Sequence, residues 1–191
     1  MTIPPWTEVQ LAVGGALRLA CGDRRGLGFF DASLDGFWRS YRAGAICYPF
    51  FLLLLILSTT TQEWDDTGIA TIVIVKSIAY LIAWVAFPLI ILPLTEWLRR
   101  KERFLSFMVV YNWSQIPQMA LSVLVALDGA SGLLAPSSAQ LAGLGAYIAE
   151  LVYEWYIARV TLAVTAAQAM LIVIIDALLS MGLVYIAESL Y

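Results

Sequence analysis

The chain has 191 residues, of which 61% are hydrophobic and only 13% charged, against about 25% charged and roughly 45–50% apolar in an ordinary soluble domain. Mean hydropathy is +0.83, the formal net charge is −3, and there is no histidine. These values exclude a water-facing globular domain, a disordered chain and a nucleic-acid binder, and the missing imidazole removes histidine-dependent catalysis, haem and metal sites.

Residues 1–42 read as a cytoplasmic, interfacial amphipathic arm. Pro4 and Pro5 precede Thr7-Glu8-Val9-Gln10, whose spacing is that of a capping box with Thr7 at the N-cap. Trp6, Val9, Val13, Leu17 and Ala20 recur at helical spacing. They predict a helix lying in the headgroup region with Arg18 near the phosphates. Leu11 and Leu19 fall off that stripe, so packing of the helix against a bundle is the second expectation. The apolar stretch 9–20 lacks a basic leader and is broken by Arg18, which argues against a removable signal. Cys21 and Cys47 have neither metal-ligand nor redox spacing and read as small apolar thiols. Gly22 is a helix stop, and 22–28 reads as a turn. Asp31 or Ser33 then caps a helix carrying Phe37, Trp38, Arg39, Tyr41 and Arg42 into the first apolar run. Rings and arginines at that entrance are expected to anchor the chain at the interface, with docking of a partner as the alternative.

Residues 43–191 read as an all-α, polytopic membrane bundle of five transmembrane helices. Crossing the hydrocarbon takes about 20 apolar residues, and the spans fall at about 43–60, 69–94, 104–127, 141–164 and 166–187. Thr165 and Gln168 have capping-box spacing, which divides the last two spans; one helix from 141 to 191 would be roughly 75 Å long. Arg18, Arg24, Arg25, Arg39, Arg42, Arg99, Arg100, Lys101, Arg103 and Arg159 all fall on one side of this arrangement. That bias marks the cytoplasmic face. It predicts a protein of the bacterial inner membrane with a cytoplasmic N-terminus and a periplasmic C-terminus. Arg99, Arg100, Lys101 and Arg103 are expected to contact lipid headgroups.

Ionisable residues inside spans mark functional or structural sites because their exposure to lipid is costly. Lys76, Glu150 and Asp176 fall at similar depth, which predicts a Lys76–Glu150 or Lys76–Asp176 pair. Glu154 is expected to be satisfied by Arg159 or by neighbouring tyrosines. Asn112, Ser114, Gln115 and Pro117 share the third span. These groups are read as interhelical glue, with a proton or cation path as the rival. Gly129-Ala130-Ser131-Gly132 matches the nucleophile motif of intramembrane serine proteases only superficially, since no histidine can serve the serine.

Five spans, an amphipathic arm and an outward C-terminus resemble the Yip1-domain membrane proteins, in particular the short bacterial members, over residues 36–190. Tyr111-Asn-Trp-Ser-Gln-Ile-Pro117 is similar to the polar stretch and proline opening a mid-chain span of that family. Trp155–Val160 followed by Thr165-Ala-Ala-Gln-Ala169 is similar to its last hairpin. The resemblance implies a non-enzymatic bundle working through partners or lipids. The expected function is thus an interaction, scaffold or accessory role in a larger membrane assembly, with Gly143, Gly145, Ala177, Ser180 and Gly182 permitting close helix contact. Its partners would be lipids and other integral membrane proteins, with a bound lipid as the only cofactor-like group. The alternative is a small transporter or channel using Lys76, Glu150, Glu154 and Asp176.

Overall fold

The computed structural model describes residues 6–132 and 135–190; Pro4 and Pro5 lie outside them. Among the described residues there are eight α-helices and no strand. They are α1 (Trp6–Ala20), α2 (Leu34–Ser40), α3 (Arg42–Ser58), α4 (Thr61–Thr67), α5 (Ile69–Trp97), α6 (Phe104–Ser131), α7 (Pro136–Leu162) and α8 (Ala166–Glu188). Three segments are long and apolar enough to cross a membrane: Leu34–Ser58, Ile69–Trp97 and Ala166–Glu188. Between 17% and 28% of their most apolar windows is buried within the protein. Ile78, Leu81, Ile82, Val85 and Leu89, for instance, form an outward face on α5. The helices α6 and α7 have 28 and 27 residues, about 40 Å at 1.5 Å per residue. Their apolar character is diluted by Asn112, Ser114, Gln115 and Gln118 on one and by Glu150, Glu154 and Arg159 on the other.

The centre of the molecule is α6, which packs on α7 and α3 and also touches α1, α2 and α5. Its inner half is buried on every side, from Phe107 through Val110 and again from Asn112 to Ser114. A helix surrounded in this way must be satisfied by neighbours over its whole circumference. It therefore tolerates polar side chains that a lipid-facing helix could not.

The first helix departs from its expected cap and face. It already includes Trp6, so Thr7 lies inside the helix and caps nothing. Its buried residues are Ala12, Gly15, Ala16 and Leu19 rather than the Trp6–Val9–Val13–Leu17 stripe, and Trp6, Leu11 and Leu17 are exposed. Small size decides the face. A Cβ at Gly15 would stand 2.9 Å from Cβ of Phe29 and 3.0 Å from the Gly26 carbonyl, and one at Gly26 only 2.5 Å from the Gly15 carbonyl. Two backbones meet here with no side chain between them. The segment expected as a turn is a 3₁₀ helix, Arg24–Phe29, started by Asp23, whose carboxylate accepts from the Arg25 N–H at 3.0 Å. Gly22 does stop α1: it has φ +79°, and the N–H groups of Gly22 and Asp23 bond the carbonyls of Leu19 and Arg18, which is a Schellman closure.

The remaining elements follow their local chemistry. Ser33 rather than Asp31 caps α2, its hydroxyl accepting from the Gly36 N–H at 3.0 Å. The connection 59–68 forms the short helix α4, with a full capping box between Thr60 and Glu63. The Thr60 N–H and hydroxyl hold the Glu63 carboxyl below the ordinary carboxylate range, and Lys76 adds to this. Gly68, at φ +85°, then turns the chain into α5. Thr165 caps α8 and Gln168 completes the box. The helix α7 begins at Pro136, five residues ahead of its expected start, because proline is accommodated in a first helical turn.

Candidate functional site

Polar residues of the expected third, fourth and fifth spans converge on a cleft of about 480 Å³ between α6, α7 and α8. Asp176 of α8 accepts from the Tyr111 hydroxyl of α6 at 3.0 Å. Glu154 of α7 faces Asp176 and Tyr111 within electrostatic reach. It is 5% exposed, and its carboxyl lies in hydrogen-bond contact with that of Asp176, an arrangement that needs one proton shared between the two. One turn further out, Glu150 accepts from the Ser122 hydroxyl at 2.6 Å. Gln115 and Gln118 of α6 line the same cleft, the Gln118 amide donating back to the Ser114 carbonyl at 3.2 Å.

Two further cavities share lining residues with this one. A cavity of about 180 Å³ on the α5 side shares Gln115, Asp176 and Ser180 with it and reaches Tyr80, Trp84 and Asn112. One of about 450 Å³ beside α4 shares Val184 and Glu188 and holds Glu63 and Lys76.

The predicted lysine pairing is corrected here. Lys76 Nζ meets Glu188 Oε1 at 2.9 Å, not Glu150 or Asp176. Depth arithmetic on Cα positions misplaces a long flexible ammonium, which extends toward the polar end of the bundle. The expected partners of Glu154 are corrected too. Arg159 lies over the Trp155 ring at 5.3 Å. The nearby tyrosines are committed elsewhere: Tyr153 donates to the Ala16 carbonyl at 2.6 Å and Tyr156 to the Gly22 carbonyl at 2.8 Å. These two bonds clamp α1 to α7 across more than 130 residues of sequence, and no local spacing announces them. Asn112 donates to the Ser40 hydroxyl at 2.8 Å, joining α6 to α2.

The expected interface anchors divide into buried and exposed members. Phe37 is buried, while Trp38 is exposed and stacks on Tyr41. Arg39 bridges Glu8 at 2.8 Å and Asp31 at 2.5 Å. The Ser33 N–H and hydroxyl, then Arg39, hold the Asp31 carboxyl below its ordinary value. Arg18 covers the Phe29 ring at 4.9 Å, and Arg42 opens α3. In the 99–103 hairpin two of the four basic residues serve the fold. Arg100 donates to the Ala163 carbonyl and Arg103 to the Thr161 carbonyl, each at 3.3 Å, which satisfies the free end of α7. Lys101 pairs with Glu96, and Arg99 is exposed with φ +56°.

Chemically, the cleft offers carboxyl groups, amides and hydroxyls, with no basic side chain in its lining. Ser131 lies at the end of α6 and donates to the Asp128 carbonyl at 2.7 Å. Among the described residues no three metal-ligating side chains are grouped to hold an ion. No family model, curated protein or solved structure matches the chain.

Proposed function

We propose that this chain is a five-span protein of the bacterial inner membrane, organised like a short Yip1-domain protein, that acts without catalysis as an interaction or accessory subunit of a larger membrane assembly. The arm and the 99–103 hairpin lie in the cytoplasm and the C-terminus in the periplasm. The observation carrying this reading is the state of the small residues on the last two helices. At Gly143 and Gly145 of α7 and Gly182 of α8, a Cβ would meet nothing within 4 Å. The bundle makes no use of them for its own packing, and such positions let another membrane helix approach closely. Purification in mild detergent is expected to retain a stoichiometric membrane partner that Gly145→Leu and Gly182→Leu release without changing the helical content. Recovery of a lone monomer from every mild detergent overturns the reading.

The neighbouring cavities, which share polar lining residues, favour a second reading, a small transporter or channel. Polar lining runs from Glu63, Lys76 and Glu188 at the outer end through Asp176 to Asn112. Proteoliposomes would then show cation or proton flux that Glu150→Gln or Asp176→Asn abolishes with the fold intact. Absence of flux in the wild type removes this reading.

A further inference from the structure

We propose that α1 seats its Trp6–Val9–Val13–Leu17–Ala20 stripe among the acyl chains of the leaflet at the basic end of the bundle, while Arg18, Arg24 and Arg25 hold the headgroups of anionic phospholipids. This deepens the reading of the chain as a membrane protein and rests on it, but it needs no partner protein.

The rotation of α1 is the first observation. At 3.6 residues per turn the helix carries three faces. Ala12, Gly15, Ala16 and Leu19 turn to the bundle, and the stripe is centred about 110° away from them. Trp6, Leu17 and Ala20 of the stripe are exposed, Val9 and Val13 half-buried. Thr7, Gln10, Gly14 and Arg18 form the third, polar face. The 3₁₀ helix lies on the Arg18 side: it packs on Gly15, and its Phe29 ring lies beneath the Arg18 guanidinium. It thus brings Arg24 and Arg25, both exposed, to the flank opposite the stripe. An apolar side with arginines across from it is the pattern of a helix lying in the plane of a membrane interface.

Height along the bundle is the second observation, and it selects lipid as the occupant. Tyr153 and Tyr156, which hold the Ala16 and Gly22 carbonyls, stand about 14 and 9 Å from the end of α7. Trp113, which lines a cavity with Leu11 and Ala12, stands about 14 Å from the start of α6. Arg100 and Arg103 tie these two helix ends together through the Ala163 and Thr161 carbonyls. The helix α1 therefore crosses α6 and α7 on their sides and not over their ends. At similar heights α5 and α8, both apolar enough to cross a membrane, turn Leu89, Leu92, Met170 and Ile174 outward. The stripe continues that apolar belt. Arginines on the far flank complement the phosphates of an anionic leaflet whose acyl chains cover the belt.

The test places a nitrobenzoxadiazole label on single cysteines of the full chain carrying Cys21→Ser, in nanodiscs of equal parts phosphatidylglycerol and phosphatidylcholine. One lipid or the other carries a doxyl quencher on its acyl chain. Labels at Leu17→Cys and Ala20→Cys are expected to be quenched, and a label at Gly14→Cys much less. Doxyl phosphatidylglycerol should quench Leu17→Cys at least about twofold more than doxyl phosphatidylcholine. Joint Arg18→Gln, Arg24→Gln and Arg25→Gln should equalise the two lipids, with circular dichroism checking the fold. Salt at about 0.5 M, which needs no further variant, should also shrink the difference. The proposal is overturned if Leu17→Cys and Gly14→Cys are quenched alike, if both lipids quench Leu17→Cys equally at low salt, or if Leu17→Cys is not quenched. In the last case, blue-shifted emission assigns the stripe to a second copy of the chain. A label at Leu81→Cys on the outward face of α5 separates the two levels of the argument. Quenching there without quenching at Leu17→Cys rejects the α1 proposal alone; quenching at neither rejects membrane embedding as well.

Discussion

Asn112 shows what one polar side chain contributes inside an apolar bundle. Its amide donates to the Ser40 hydroxyl, which in turn donates to the Phe37 carbonyl at 2.6 Å, so the amide, the hydroxyl and the carbonyl form one hydrogen-bonded chain. Interhelical bonds of this kind are worth roughly 0.6 kcal/mol on average and up to about 1.7 kcal/mol. A double-mutant cycle of Asn112→Ala and Ser40→Ala, read by detergent-induced unfolding, should return a coupling of about 1 kcal/mol. Additive single effects would show that the pair carries no energy. Asn112 is conspicuous in the sequence as a polar group in a span, but Ser40 is not, because nothing local joins positions 72 residues apart. Arg39 carries a second residue-scale prediction. Since the Asp31 carboxyl sits below its ordinary 3.8 in the folded protein, its contribution is fully present above that value and is lost as pH falls through the lower, folded one. Exchange protection on α1, corrected for intrinsic rates, should be level from neutral pH down to about 3.8 and decline below it. Asp31→Asn should remove that step, and an unchanged profile in the variant would assign the decline to other carboxyls.

Element by element, the local signals that proved readable are those in which a few consecutive residues complete a structure by themselves. Thr165 and Gln168 close both bonds of a capping box and start α8; Gly22 adopts the left-handed conformation that ends α1. The identical pattern at Thr7 fails because α1 already extends through Trp6, and its buried face is set by the 3₁₀ helix lying against Gly15. That contact is long-range in character and lies outside any helical wheel. Gly26→Val should therefore detach the 3₁₀ segment from α1, costing about 1–3 kcal/mol as for other overpacked contacts, with cleavage by a soluble protease appearing between residues 24 and 30. Persistence of protection there would show that the backbone separates cheaply. The end of α7 offers the opposite substitution. Ala163 stands at φ +50°, ψ +48° with its side chain exposed, a conformation costing an L-residue about 1–2 kcal/mol. Only its carbonyl is engaged, by Arg100. Ala163→Gly keeps that bond and should stabilise the protein by up to about 1 kcal/mol, the relief being reduced by the greater freedom of glycine when unfolded.

At the scale of the whole molecule, the polar residues of α6 and α7 and the basic connections are two views of the same arrangement. Length and composition mark the segment ending in α3, together with α5 and α8, as apolar enough to cross a membrane, and all three bury only a minor share of their most apolar windows. What composition cannot state is that α6 is enclosed by the others, and this enclosure is why its amides and the α7 carboxylates are tolerated and meet in one cleft. Glu150, Glu154 and Asp176 stand out in the sequence individually; which of them face each other depends on helix rotation, which periodicity leaves open when the helices are polar on more than one side. The ends of the bundle are more informative. Tyr156 holds Gly22, while Arg100 and Arg103 hold the α7–α8 hairpin, so the basic arm, the 99–103 hairpin and residue 163 occupy one end. The acidic helix α4 and the Lys76–Glu188 pair occupy the other. By the positive-inside bias, the proposed topology puts the basic end in the cytoplasm. Cys21 is exposed at the basic end and Cys47 is buried, so the native chain carries its own reporter of where the basic end lies. In intact spheroplasts, a membrane-impermeant maleimide should label Gln62→Cys and Ser137→Cys and spare Cys21, which becomes reactive after lysis. Labelling of Cys21 before lysis together with protection of both outer positions would invert the molecule. Labelling of only one of positions 62 and 137 would break the antiparallel order of α5, α6 and α7, and with it the common outer end onto which the cleft and the Lys76–Glu188 pair open.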